Sequence, residues 1–153
     1  MSYFKIYPSD DKGNQNYRWN LKDGNHEIIA HSEEPFHREN ALSSVEKMQC
    51  NVNQDTEICL QSESQDTSKY RFEYRQSEKD EQWYWTLKAG GNHEQMAIGE
   101  GYASKSNVVE GLENVRLEMA RADITFESSE DQKWYKALLI RRADRSEERR
   151  GGE

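Results

Sequence analysis

Two histidines stand at matching places in the chain: His26 in Asn25-His26-Glu27 and His93 in Asn92-His93-Glu94. A histidine beside a carboxylate is the raw material of general acid–base chemistry, because imidazole changes charge near neutral pH. Each follows a turn signal, Asp23-Gly24-Asn25 or Ala89-Gly90-Gly91-Asn92. Catalysis needs further groups converging on the same point, and neither spacing offers a third. A solvated turn residue is therefore the expected role, with a small enzyme using His26 or His93 as a rival. His31 and His37 belong to no motif. Gly99-Glu100-Gly101 invites comparison with a phosphate loop, but it lacks Lys-Ser/Thr at P-loop spacing and the third glycine of a dinucleotide turn. A helix start is expected there. Cys50 and Cys59 form no C-x-x-C pair and read as free thiols in a reduced protein. Among 29 acidic residues no Ser-His-Asp order, H-E-x-x-H or paired-carboxylate signature stands out. No catalytic residue, metal ligand or cofactor is expected.

Aromatic side chains are the other candidates. Tyr17, Trp19 and Leu21 alternate with Arg18, Asn20 and Lys22, while Trp83, Trp85 and Leu87 alternate with Tyr84, Thr86 and Lys88. Aromatic strands can stack single-stranded nucleic acid. Here each aromatic series runs on into a leucine on the same face, which marks the core side of a strand. The opposite face, Arg18, Asn20, Lys22, Tyr84, Thr86 and Lys88, is then the uncovered side and the best candidate for binding a partner.

These positions recur because the chain contains one unit twice. Trp19 and Trp85 are 66 residues apart and His26 and His93 are 67 apart; Glu57-Ile58-Cys59-Leu60 returns as Asp123-Ile124-Thr125-Phe126. A duplication of this period governs the whole architecture. In the first unit, Phe4-Lys5-Ile6-Tyr7, Tyr17–Lys22 and Glu27–Ser32 alternate at strand period. Ala41, Leu42, Val45 and Met48 make a helical stripe, and Glu57–Gln61 closes the unit. The second unit repeats the order: Tyr70–Arg75, Trp83–Lys88 and Glu94–Gly99, then a helix capped by Ser104 with Val108, Leu112, Val115 and Met119 inward, then Ala122–Glu127. Both units read β-β-β-α-β. Residues 1–128 form one domain, with repeats at about 3–62 and 69–128. Residues 129–153 are an extension: Ser129-Glu130-Asp131-Gln132 reads as a capping box, a short helix is expected to follow, although Lys136-Ala137-Leu138-Leu139-Ile140 also fits a strand, and disorder is expected from Arg145. Trp134, Arg141 and Arg142 are further candidates for binding a partner.

Only 33% of the 153 residues are hydrophobic and 33% are charged. Half a chain of this composition buries too little core to stand alone, so the repeats are expected to share one sheet. Net charge is −8; residues 129–153 carry +1 and the body −9. Duplex nucleic acid is excluded as the expected partner, because its binding depends on neutralising phosphates. No apolar run approaches a membrane span of roughly 20 residues. The N-terminal residues show no signal-peptide pattern, and the expectation is a cytoplasmic monomer with an internal pseudo-twofold.

Ile98-Gly99-Glu100-Gly101-Tyr102-Ala103-Ser104-Lys105, with Glu110-Gly111-Leu112-Glu113-Asn114-Val115 and the upstream Trp85-Thr86-Leu87-Lys88-Ala89, resembles the small bacterial and archaeal family called YegP-like, UPF0339 or DUF1508. The resemblance is good over the second repeat. The first repeat keeps Trp19-Asn20-Leu21-Lys22 but has Glu34-Pro35-Phe36-His37-Arg38 where the family has Gly-Tyr-Ser-Ser-Lys. The tail beyond Ser128 lies outside the family pattern. The resemblance implies an α+β fold: one mostly antiparallel sheet from two repeats or two subunits, helices on one face, and closing strands exchanged between repeats. It carries no established activity. The functional expectation is a non-enzymatic protein-interaction module. A second alternative is an acidic inhibitor or regulator, of a kind mobile elements encode, occupying a basic nucleic-acid-binding site on its target.

Overall fold

A computed structural model describes residues 1–9, 16–65 and 68–151, apart from the side chains of Glu100 and 147–151. Chain order is β1 (Tyr3–Pro8), β2 (Tyr17–Lys22), β3 (Ile28–His31), α1 (Arg38–Asn51), β4 (Glu57–Leu60), a 3-10 turn (Gln61–Glu63), β5 (Arg71–Gln76), β6 (Trp83–Lys88), β7 (Gln95–Tyr102), α2 (Lys105–Arg121), β8 (Asp123–Phe126) and α3 (Ser129–Gly151). Among the described residues eight strands form one sheet, in the order β4-β5-β6-β7-β3-β2-β1-β8. The repeats meet antiparallel at its centre, where His31 of β3 faces Ile98 of β7. Each closing strand crosses to the other repeat. Strand β4 pairs parallel with β5, and β8 pairs parallel with β1. This is the exchanged, mostly antiparallel α+β sheet that the family resemblance implies.

Strand alternation sends Phe4, Ile6, Trp19, Leu21, Phe72, Tyr74, Trp85 and Leu87 to one face, where α1 and α2 lay Leu42, Val45, Met48, Leu112, Val115 and Met119 against them. These side chains belong to a single hydrophobic cluster spanning both repeats. Trp19 and Trp85 lie fully inside it, each edge-on to a phenylalanine at 5.4 Å from Phe4 and 5.7 Å from Phe72. Both indole N–H groups lack a hydrogen-bond partner among the described residues. The same local cost, about 1–3 kcal/mol for an unsatisfied buried donor, is thus accepted twice in return for aromatic burial.

Strand β7 runs to Tyr102, three residues past the strand expected from the sequence, and so takes in Gly99-Glu100-Gly101. Gly99 is there for close approach: a Cβ at that position would come within 2.3 Å of the Trp85 ring. Gly101 has φ +87, a conformation that glycine adopts without strain. Ser104 then caps α2 by accepting from the Asn107 N–H.

The extension differs from expectation in two ways. Its cap is Ser128, which accepts from the Asp131 N–H, so the expected box is one residue late; Gln132 instead accepts from the Phe126 N–H. The helix also runs on to Gly151 rather than ending near Arg145. Arginine and glutamate sustain a helix without an apolar face, since their straight side chains lose little freedom there.

Because β4 and β8 are exchanged, neither repeat can complete its own core. Thermal unfolding of the full chain should therefore show one transition, and residues 1–62 alone should not give a cooperative monomer. Trp19→Ala and Trp85→Ala should each cost about 3–5 kcal/mol, measured by urea denaturation. Losses below about 1 kcal/mol would place those rings outside the core.

Candidate functional site

The sheet face turned away from the helices is the candidate. Strand register draws a continuous row across it: Cys59, Glu73, Thr86, Ile98, His31, Asn20, Lys5, Thr125. The row is nearly symmetric about the Ile98–His31 joint, with Thr86 answering Asn20 and Glu73 answering Lys5. Its middle members, Thr86, Ile98, His31 and Asn20, are half-buried. Flanking rows carry Tyr3, Lys22, Arg71 and Lys88 on one side and Arg18, Tyr84 and Arg75 on the other. Among the described residues, the paired strand positions of this face carry six basic side chains (Lys5, Arg18, Lys22, Arg71, Arg75, Lys88) and, with the adjoining Glu127, four acidic ones (Glu57, Glu73, Asp123, Glu127), on a body whose net charge is −9.

One end of this face is covered. Glu73 and Arg71 are buried and joined at 2.7 Å. The Arg71 guanidinium also donates to Ser64 Oγ at 3.0 Å, to the Lys69 carbonyl at 3.4 Å and to His93 Nδ1 at 3.0 Å. Lys88 Nζ meets the second Glu73 oxygen at 3.0 Å. Burial pushes the Glu73 carboxyl up, but hydrogen bonds from Ser64, Lys88 and Arg71 and the Lys88 charge outweigh it and hold the group below its ordinary range. Ser64 and Lys69 lie against this end, and the charged pair on the outer face is an internal one. Cys59, beside Glu73 in the row, is half-buried and free. Burial raises its thiol pKa, against a Ser64 hydrogen bond, and the Glu57 and Glu73 charges add to the rise. A thiol so placed is a weak nucleophile.

The matching histidines are turn residues in the left-handed region, His26 at φ 64 and His93 at φ 58. Each ring reaches the first strand of its own repeat. His26 Nδ1 lies 2.9 Å from the Tyr3 hydroxyl. His93 Nδ1 accepts from Arg71; since a guanidinium only donates, the neutral ring carries its proton on Nε2. The two rings have different partners and do not form one site. Among the described residues no three or more His, Cys, Asp or Glu gather as metal ligands, and no helix is long and apolar enough to cross a membrane.

The candidate binding residues are not equally available. Asn20, Thr86 and Lys22 stand half-exposed on the face. Arg18 donates to the Glu33 carbonyl at 2.7 Å, Lys88 is committed to Glu73, and the Tyr84 hydroxyl donates to Asp80. Lys22 and Arg75 are therefore the better probes of the face. Trp134, Arg141 and Arg142 lie elsewhere, on α3. Trp134 lies against the core, edge-on to Phe126, with the Arg38 guanidinium 4.1 Å above its ring. Arg142 pairs with Glu46 of α1 at 2.6 Å, and Arg141 is exposed. The helix docks on the body through a buried carboxylate: Asp131 accepts from the Tyr17 hydroxyl at 2.8 Å and from Arg38 at 3.0 Å. Burial, then the hydrogen bond and charge of Asp131, push the Tyr17 hydroxyl up to about 12. Neither the Asp131 anchor nor the buried Arg71–Glu73 pair was found from the sequence. Alternation places Arg71 and Glu73 on the outer face but does not show that Ser64 and Lys69 meet them there.

The fold is that of a tandem β-β-β-α-β protein with exchanged closing strands. The sequence profile of a domain of unknown function (DUF1508) matches residues 13–57 and 78–125, and the chain belongs to that family. The solution structure of UPF0339 protein SO3888 from Shewanella oneidensis is similar, with TM-score 0.60 and 22% identity over 82% of this chain and 90% of that one. So is yegP from E. coli, a protein of unknown function, with TM-score 0.55 and 18% identity over 84% and 94%. These likenesses establish the shared fold. No curated protein matches the chain.

Two measurements follow from the geometry. Lys88→Glu sets a second carboxylate against Glu73 and should cost about 3–5 kcal/mol, the range for breaking a buried pair; Lys22→Glu should stay within about 0.5 kcal/mol. Urea midpoints compare the two. The folded state favours the neutral Tyr17 phenol, so that contribution is whole below about pH 10, where an unfolded tyrosine titrates. It should be lost as pH rises from 10 to about 12. A stability–pH series should show this fall, reduced in Tyr17→Phe.

Proposed function

We propose that the protein is a non-enzymatic protein-interaction module whose uncovered sheet face docks on an acidic patch of a partner protein. The observation that carries this reading is the face itself. It has a half-exposed central row, Thr86-Ile98-His31-Asn20, within a basic surround on an otherwise acidic body. Opposite potentials steer association and fix orientation, and the half-exposed Ile98 supplies apolar surface at the centre. A net charge of −8 supports a protein rather than a duplex as ligand, because the body repels phosphates. Two free thiols support a reducing compartment such as the cytoplasm. The two repeats supply both halves of the sheet within one chain, which supports action as a monomer.

The test is affinity capture with the tagged full-length chain, comparing wild type with a Lys22→Glu, Arg75→Glu double variant and with Ile98→Asp. The expected outcome is at least a tenfold loss of the recovered partner, about 1.4 kcal/mol, with the double variant's unfolding midpoint unchanged. Undiminished recovery by both variants would remove this face from the function.

A further inference from the structure

The seat of α3 on the first repeat has a counterpart on the second. Two cross-repeat hydrogen bonds mark the internal pseudo-twofold: Gln49 donates to the Ala122 carbonyl at 2.7 Å, and its counterpart Arg116 donates to the Thr56 carbonyl at 2.9 Å. By the same spacing, 67 in the helices and 66 in the strands, Arg38 corresponds to Lys105, Leu42 to Val109, Glu46 to Glu113, Tyr17 to Trp83 and Phe126 to Leu60. In the first repeat, α3 covers this surface: Leu42, Tyr17 and Phe126 are buried, at 2%, 4% and 6% exposure. Their counterparts Val109, Trp83 and Leu60 pack on the core but remain half-exposed. A shallow, open groove on α2 beside Val109 is lined by Lys105, Ser106, Val109, Glu110 and Glu113.

The asymmetry has a visible cause. After β8 the chain continues on the helix side as α3. After β4 it makes the 3-10 turn Gln61–Glu63 and brings Ser64 to the opposite face, against Arg71. The second seat keeps the charge layout of the first, a cation at the helix start (Arg38 or Lys105) and a carboxylate eight residues later (Glu46 or Glu113). On the first seat that layout is read by Asp131, which bonds Arg38, and by Arg142, which pairs with Glu46.

We propose that the groove on α2 is a docking site for an amphipathic helix of a partner protein with the residue layout of α3. Its first turn carries a carboxylate that meets Lys105. Large apolar side chains three, four and seven residues later, as Trp134, Tyr135 and Leu138 follow Asp131, cover Val109, Trp83 and Leu60. An arginine or lysine eleven residues after the carboxylate pairs with Glu113. The chain's own α3 is committed to the first seat, so the occupant comes from another protein. This surface lies on the helix side of the sheet and is independent of the open-face reading. Helix-in-groove recognition by spaced anchors is a recurrent mode of binding.

The probe is a fluorescently labelled peptide with the sequence of residues 128–146, titrated with the full-length chain and followed by anisotropy. Saturable one-to-one binding is expected. Lys105→Glu should weaken it at least tenfold and Val109→Arg should abolish it, with the melting temperature of the exposed-site variant Lys105→Glu unchanged. A peptide carrying Asp131→Lys should recover affinity for the Lys105→Glu protein. Absence of saturable binding overturns the proposal. So does binding indifferent to both variants, which would mean exchange into the first seat. Self-association of the full chain that Lys105→Glu dissolves would also overturn it, because the occupant would then be a second copy.

Discussion

Everything in this protein hangs on the exchange of closing strands. Strand β4, made by the first repeat, pairs parallel with β5 of the second, and β8 returns to pair with β1. A repeat of some sixty residues with so little apolar content cannot bury enough surface to offset the entropy of ordering its chain. Exchange lets both repeats contribute to one cluster, in which Trp19 and Trp85 sit at equivalent points with equivalent phenylalanine neighbours. The parallel edge pairs are what make the fold a property of the whole chain rather than of either half.

A symmetric frame leaves the chain free to treat its two ends differently. The segment after β4 goes to the outer face and buries Arg71 and Glu73 there; the segment after β8 goes to the helix face and becomes α3. The departure of the first repeat from the family pattern gains a physical meaning from this. Arg38, at the end of Glu34-Pro35-Phe36-His37-Arg38, stacks on Trp134 and bonds Asp131, while the Phe36 backbone pairs with Tyr17, whose hydroxyl also reaches Asp131. The altered helix start and the C-terminal extension are two sides of one interface. Losing Arg38 while keeping the extension would strand the buried Asp131 carboxylate, which is costly in a low-dielectric interior.

The outer face shows how a surface that looks uniform in sequence is divided by covering. Arg18, Lys22 and Lys88 occupy the same kind of alternating position, yet Lys88 neutralises a buried carboxylate, Arg18 serves a loop carbonyl, and Lys22 remains to meet solvent. The histidines divide similarly. His26 and His93 hold equivalent left-handed turn positions, but one ring meets a phenol and the other a guanidinium, because the residues at the start of β1 and β5 differ.

Strand period, the helical stripes, the duplication and the inward side of Trp19 and Trp85 were all legible from the chain, because side-chain alternation and apolar spacing are local properties that burial then enforces. The exchange of closing strands came through the family resemblance rather than from spacing. The extent of β7, the Ser128 cap and the length of α3 were misjudged by a few residues, since helix and strand ends depend on which neighbour satisfies the last backbone groups. What tertiary structure alone decided is which charges are free. Asp131 reads as one more acid in a first helical turn, and Arg71 and Glu73 as outward residues of a strand. Each is buried because a segment distant in sequence or space folds over it, and no local pattern encodes where that segment will lie.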